Sequence, residues 1–195
     1  MARFTQIDPE TATGKVKDLF AALKRKLGMV PNISRALANS PAALEGYLTL
    51  SGTLGGGSLS AQDRERIALA VGQANGCDYC LAAHTALGKM VGLTADQIRE
   101  SRVGTAADPK TDALTRFTRR VLATRGHVTD AEVAAARAAG YTDGDLTEVV
   151  ANVALNVLTN YFNHVADTDL DFPKAETVVD HHDECATIPG CDPTR

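Results

Sequence analysis

Four side chains in one short stretch of this chain could do chemistry together: Glu65, Cys77, Cys80 and His84. The cysteines are two residues apart, so a disulfide could form and open within one helical turn. They follow Asn75-Gly76, where a helix is expected to begin. Unpaired backbone N–H groups and the helix dipole at such a start favour an anion, which acidifies a thiol. On a wheel of about 100° per residue, positions 77, 80 and 84 fall within about 60° of one another. One turn separates Cys80 from His84. An imidazole there can take the thiol proton directly or through a water.

Glu65 is placed by similar arithmetic. If Asn75-Gly76 is the turn of an antiparallel helical hairpin, Glu65 stands eleven residues before the turn and His84 eight after it. The axial offset is then roughly 5 Å, within side-chain reach. Glu65, His84, Cys80 and Cys77 follow in the order of a proton relay ending in a thiol pair. Plainer readings exist for each residue. The cysteines could be small buried residues, or ligands of a metal with His84, although that offers three ligands where a structural zinc takes four. Glu65 could be a solvated first-turn acid in the run Asp63-Arg64-Glu65-Arg66, and His84 could be structural.

The elements that would position these groups are helical. Four capping boxes mark helix starts: Ser60 with Asp63, Thr94 with Gln97, Thr129 with Glu132, and Thr142 with Asp145. Ser40-Pro41 marks another, with proline at the first helical position. Gly28, Gly76, Gly92, Gly126 and Gly140 mark the stops. Helices are therefore predicted near 12–27, 34–39, 41–54, 61–75, 78–91, 95–102, 111–125, 130–139 and 143–166. The expected fold is all-α: one helical bundle over residues 1–173, with a catalytic hairpin at 61–91 and a C-terminal arm at 174–195. Gly55-Gly56-Gly57 reads as a flexible joint, and Asp108-Pro109 as a break between two helical halves without a sequence repeat.

Composition narrows the function classes. The chain has 195 residues, 44% of them hydrophobic, which supports a substantial core. Twenty basic against 24 acidic residues give a net charge of −4, which argues against nucleic-acid binding. Apolar runs are only a few residues long, so no membrane span is expected. Met1 to Gln6 carries no apolar secretory core. The expected compartment is a reducing cytoplasm, where a close cysteine pair is redox-active or metal-binding more often than structural.

The spaced motif, Glu65 then eleven residues, Cys77-x-x-Cys80, three residues and His84, resembles the alkyl hydroperoxidase D-like proteins of the carboxymuconolactone decarboxylase family. Pro31-Asn32, Ser40-Pro41, Leu59-Ser60, Arg64-Glu65, the helix around Asn152 to Asn163, and Asp171-Phe172-Pro173 resemble its peroxidase-related branch. The resemblance covers roughly residues 15–173. It implies an all-helical fold of the alkyl hydroperoxidase D-like type, assembled as a dimer, trimer or hexamer. It also implies thiol-dependent reduction of a hydroperoxide substrate without cofactor or metal, at the expense of a dithiol or protein reductant. In that reading Cys80 attacks the peroxide and becomes a sulfenic acid, Cys77 resolves it to a disulfide, and His84 and Glu65 relay the proton. Where a peroxidase of the family has histidine between its cysteines, this chain has Tyr79, which the wheel points away from the thiol stripe. The decarboxylases that name the family typically lack the cysteine pair. The alternatives are a disulfide-exchange or oxidant-sensing protein, or a decarboxylase-like one.

The remaining polar residues are given structural roles. Asn156, Asn160, Asn163 and His164 form a strip on the last long helix, expected to be a hydrogen-bond seam between helices or subunits, with a pocket wall as the alternative. His127 suits a helix C-terminus, and Lys24-Arg25-Lys26 a solvated helix end. Tyr161 and Phe162 are expected in a core or interface. In the arm, His181, His182, Cys185 and Cys191 match no zinc-finger spacing, so a local disulfide or free thiols are preferred to a metal. With so little apolar content, the arm is expected to wrap a partner subunit.

Overall fold

In the computed structural model, residues 2–179 are described. Among them are nine α-helices: α1 (Gly14–Leu27), α2 (Asn32–Leu37), α3 (Pro41–Leu54), α4 (Ala61–Ala74), α5 (Asp78–Met90), α6 (Ala95–Arg102), α7 (Pro109–Ala123), α8 (Asp130–Ala138) and α9 (Asp143–Ala166). The described residues contain no strand, so the all-α expectation stands. All four capping boxes form with both of their hydrogen bonds. The five stop glycines all adopt positive φ, the conformation that penalises other residues.

Helix α4 is the axis of the bundle, packing against α5, α6, α7 and α9. Its run Ile67-Ala68-Leu69-Ala70-Val71 is enclosed on every side, at 2% exposure or less. Small alanines let the neighbouring helices approach, while Ile67 and Val71 point into one cluster and Leu69 into another. Ile67 and Val71 meet Leu114, Phe117, Val121, Val149 and Val153 from α7 and α9. Leu69 meets Leu93 and Ile98 beside α6. Cutting Leu69 back to Ala would cost about 2–5 kcal/mol. A third cluster gathers α1 to α3 over the start of α5: Phe20, Leu23, Ile33, Leu37 and Leu44 around Cys77, Tyr79, Cys80 and Ala83.

Three local expectations change. Residues 55–57 are a pinned turn, because the Glu148 carboxylate accepts from the N–H groups of Ser58 at 2.8 Å and Leu59 at 3.1 Å. Gly57 leaves room for that carboxylate; a Cβ there would stand 2.6 Å from Glu148 Cδ. These backbone hydrogen bonds hold the Glu148 carboxyl below the usual carboxylate range. Asp108-Pro109 is a helix start rather than a divide. Asp108 accepts from Thr111 N–H at 2.9 Å, and α7 then packs on α4. The beginning of the arm lies on its own chain: Arg102 donates to the Glu176 carbonyl at 2.8 Å, and Arg99 pairs with the Glu176 carboxylate. His181, His182, Cys185 and Cys191 lie outside the described residues. Among those described, no helix is long and apolar enough to cross a membrane.

Candidate functional site

Gly76, at φ 63°, turns the chain between α4 and α5 and brings the two helices antiparallel. Cys77 then occupies the N-cap of α5, a place usually held by serine or aspartate, and its sulfur accepts from the Cys80 N–H at 3.3 Å. Cys77 and Cys80 are joined as a disulfide, with their Cα atoms 5.3 Å apart. Both are buried, at 1% and 3% exposure.

One turn further along α5, His84 Nδ1 lies 2.8 Å from Glu65 Oε2 of α4. The two side chains keep 23% and 18% of their surface in contact with solvent. The hairpin thus pairs Glu65 with His84 part-way along α4 and α5, while the two cysteines sit at its turn, at the start of the helix that carries His84. The carboxylate fixes one ring nitrogen of His84 and leaves Nε2 to exchange a proton, on the side chain that follows Cys80 by one turn. A dithiol at this place can deliver two electrons and close to the observed disulfide, while the imidazole carries the proton.

The walls come from elements that hairpin arithmetic does not reach. Tyr47 of α3 is packed into the cysteine cluster. Burial pushes its hydroxyl up, and the nearby Glu65 carboxylate pushes it further. Tyr79 points away from the relay: its hydroxyl oxygen accepts from Ile33 N–H at 3.3 Å, and Phe172 stands edge-on to its ring at 6.1 Å. Burial keeps this phenol protonated. Tyr79 therefore ties α5 to α2 and to the segment after α9, where Asp171 accepts from Asn32 N–H at 2.6 Å.

The α9 strip holds a contact that the helical wheel did not foresee. Asn163 donates to Cys80 Sγ at 3.3 Å, and Asn160 accepts from Asn75 at the hairpin turn at 2.9 Å. Asn152, Asn156, Asn160 and Asn163 are all buried, whereas His164 is exposed and does not belong to the strip. His127 is also exposed. Among the described residues, no group of three or more His, Cys, Asp or Glu side chains is placed to hold a metal ion. The strip was legible as polar periodicity; its contact with sulfur was not, because nothing local sets the pairing of α9 with α5. Tyr47 left no signal in the sequence.

Residues 41–122, from the start of α3 to the end of α7, match the model of the carboxymuconolactone decarboxylase family. An uncharacterised peroxidase-related protein from Ralstonia eutropha JMP134, described as an alkylhydroperoxidase AhpD core, superposes with a TM-score of 0.78 at 25% identity. The match covers 87% of this chain and 92% of that one. This is an alkyl hydroperoxidase D-like fold carrying a carboxymuconolactone decarboxylase family segment. The family segment contains Glu65, Cys77, Cys80 and His84, but ends before α9 and Asn163. A peroxidase-related protein from Silicibacter sp. TM1040 shares the fold at 23% identity and TM-score 0.74, over 86% of this chain and 92% of that one. So does the debrominase Bmp8, at 16% identity and TM-score 0.74, over 87% and 92%. None of the curated proteins matches the chain.

Proposed function

We propose that this protein is a thiol-dependent peroxidase that reduces hydroperoxides through Cys77 and Cys80. The observation that carries the reading is the disulfide at the start of α5, with the Glu65–His84 pair one turn beyond it. The Cys80 thiolate attacks the terminal oxygen of the hydroperoxide. An S–O bond forms, the O–O bond breaks, and the alkoxide takes a proton relayed by His84. Cys77 then attacks the sulfenic acid, releasing water and closing the disulfide. A dithiol or a protein dithiol reopens it in a reducing compartment such as the cytoplasm. Nothing in this cycle calls for a cofactor.

The test is hydroperoxide consumption with a dithiol donor, comparing the parent with Cys80→Ser. Activity in the parent and its loss in the variant support the reading. Equal consumption by both would refute it. Because a debrominase shares the fold, bromide release from an organobromide is measured alongside. Bromide release without peroxide turnover would replace the hydroperoxide as electron acceptor.

Self-association is proposed through α9. Val150, Leu158, Tyr161 and Val165 each leave about half of their surface exposed, at spacings of eight, three and four residues. They form a stripe about 22 Å long, and no charged residue lies between Glu148 and His164. A second copy running antiparallel would match this stripe with itself. Light scattering should show that Leu158→Glu lowers the mass of the parent assembly; an unchanged mass would exclude this face.

A further inference from the structure

The asparagines of α9 do not all serve the helix. Asn152 and Asn156 each spend a side-chain N–H on the carbonyl four residues back, Glu148 O and Asn152 O, both at 2.8 Å. Asn160 and Asn163, nearest the cysteine hairpin, depart from that pattern. Asn163 gives its N–H to Cys80 Sγ at 3.3 Å, and its Oδ1 is buried without a partner. Asn160 Oδ1 is held by Asn75 Nδ2, which fixes the amide and leaves its Nδ2 buried and unpaired. Both residues are at 4% exposure or less. An acceptor and a donor unsatisfied on one buried face, beside a reactive sulfur, are a cost that complementary groups of a ligand would recover.

We propose that Asn163 is a catalytic residue of the cysteine centre: its amide N–H steadies the Cys80 sulfur as an anion, and its Oδ1 receives the O–H of the hydroperoxide. The second half rests on the peroxidase reading; the first does not. At the start of α5 the Cys80 N–H donates to the Cys77 sulfur, whereas the donor to the Cys80 sulfur, Asn163, comes from another helix. A hydrogen bond to sulfur strengthens when the sulfur is charged. The same planar amide, accepting the terminal O–H, sets that oxygen beside the thiolate. The S–O bond then forms where the O–O bond breaks, two electrons pass from sulfur to the peroxide, and the departing alkoxide takes its proton from the His84 side. Asn160 Nδ2 is the remaining donor for a substrate oxygen.

Asn163→Leu removes donor and acceptor at similar volume; Asn163→Asp keeps the shape and an acceptor but loses the donor. In a Cys77→Ser background, the iodoacetamide alkylation rate of Cys80 is followed against pH. The ionisable side chains of the surrounding elements, Tyr47, Glu65, Tyr79 and His84, are common to every sample, so only the difference from the parent is read. Both variants should move the midpoint up by about one pH unit or more, with Asp the larger because it adds a like charge. With both cysteines present, hydroperoxide turnover by Asn163→Leu should fall further than its thiolate fraction explains. A packing role alone would lower thermal stability and leave the midpoint in place. A folded Asn163→Leu with the parent midpoint overturns the assignment, and Asn163→Asp decides if the leucine variant does not fold. If the midpoint moves but the parent consumes no hydroperoxide, the peroxidase reading fails and takes the Oδ1 role with it. If the parent is active and the midpoint does not move, the Asn163 assignment fails alone.

Discussion

Replacing Glu65 with Gln tests whether the relay works as a unit. The variant keeps the length of the side chain that reaches His84 Nδ1 at 2.8 Å, but removes its charge. When His84 carries a proton during turnover, the carboxylate stabilises the imidazolium. Two unit charges about 4 Å apart interact by about 4 kcal/mol at an effective dielectric of about 20. Both side chains keep roughly a fifth of their surface in solvent, so about half of that survives screening, or about 2 kcal/mol. At about 1.4 kcal/mol per tenfold, Cys80 oxidation should slow about 30-fold. His84→Ala should slow it by about 10²–10⁴-fold, the range of a positioned base. Stopped-flow oxidation of the reduced protein by a hydroperoxide measures each rate, with helicity checked separately. The double variant should lose less than the product of the single losses, because Glu65 acts only through His84. A Glu65→Gln protein oxidising at the parent rate, or strictly multiplicative losses, would refute the relay.

Two further outcomes concern stability. The Glu148 carboxyl is depressed by the backbone N–H groups it accepts from, so its contribution is present above its unfolded value of 4.5 and is lost as pH falls through the lower folded value. Thermal melts of parent and Glu148→Gln should differ at pH 7 and converge in acid; a constant difference would show that the contribution does not come from the charge. Truncation after Pro173 should lower the melting temperature, because Arg102, at 3% exposure, loses the Glu176 carbonyl. An unchanged melt would mean that Gln73, which holds Arg102 Nε at 2.8 Å, is partner enough.

What the sequence determined by itself is what short-range physics controls. Capping boxes at Ser60, Thr94, Thr129 and Thr142 and the five helix-stop glycines, all at positive φ, are local, since each involves hydrogen bonds or steric limits within a few residues. They place α3 to α6 and α9 almost to the residue. The meeting of Glu65 with His84 was also legible, because one tight turn leaves two antiparallel helices little freedom. Tertiary packing alone decided the rest. Three glycines suggested a joint, but a carboxylate 91 residues later, Glu148, pinned them. The helical wheel grouped His164 with the asparagines, yet burial took Asn160 and Asn163 and left His164 in solvent. The approach of Asn163 to Cys80 and of Tyr47 to Glu65 depends on how α9 and α3 dock. Docking is fixed by the summed burial of many side chains, each contributing little, so no spacing rule along the chain could have announced it.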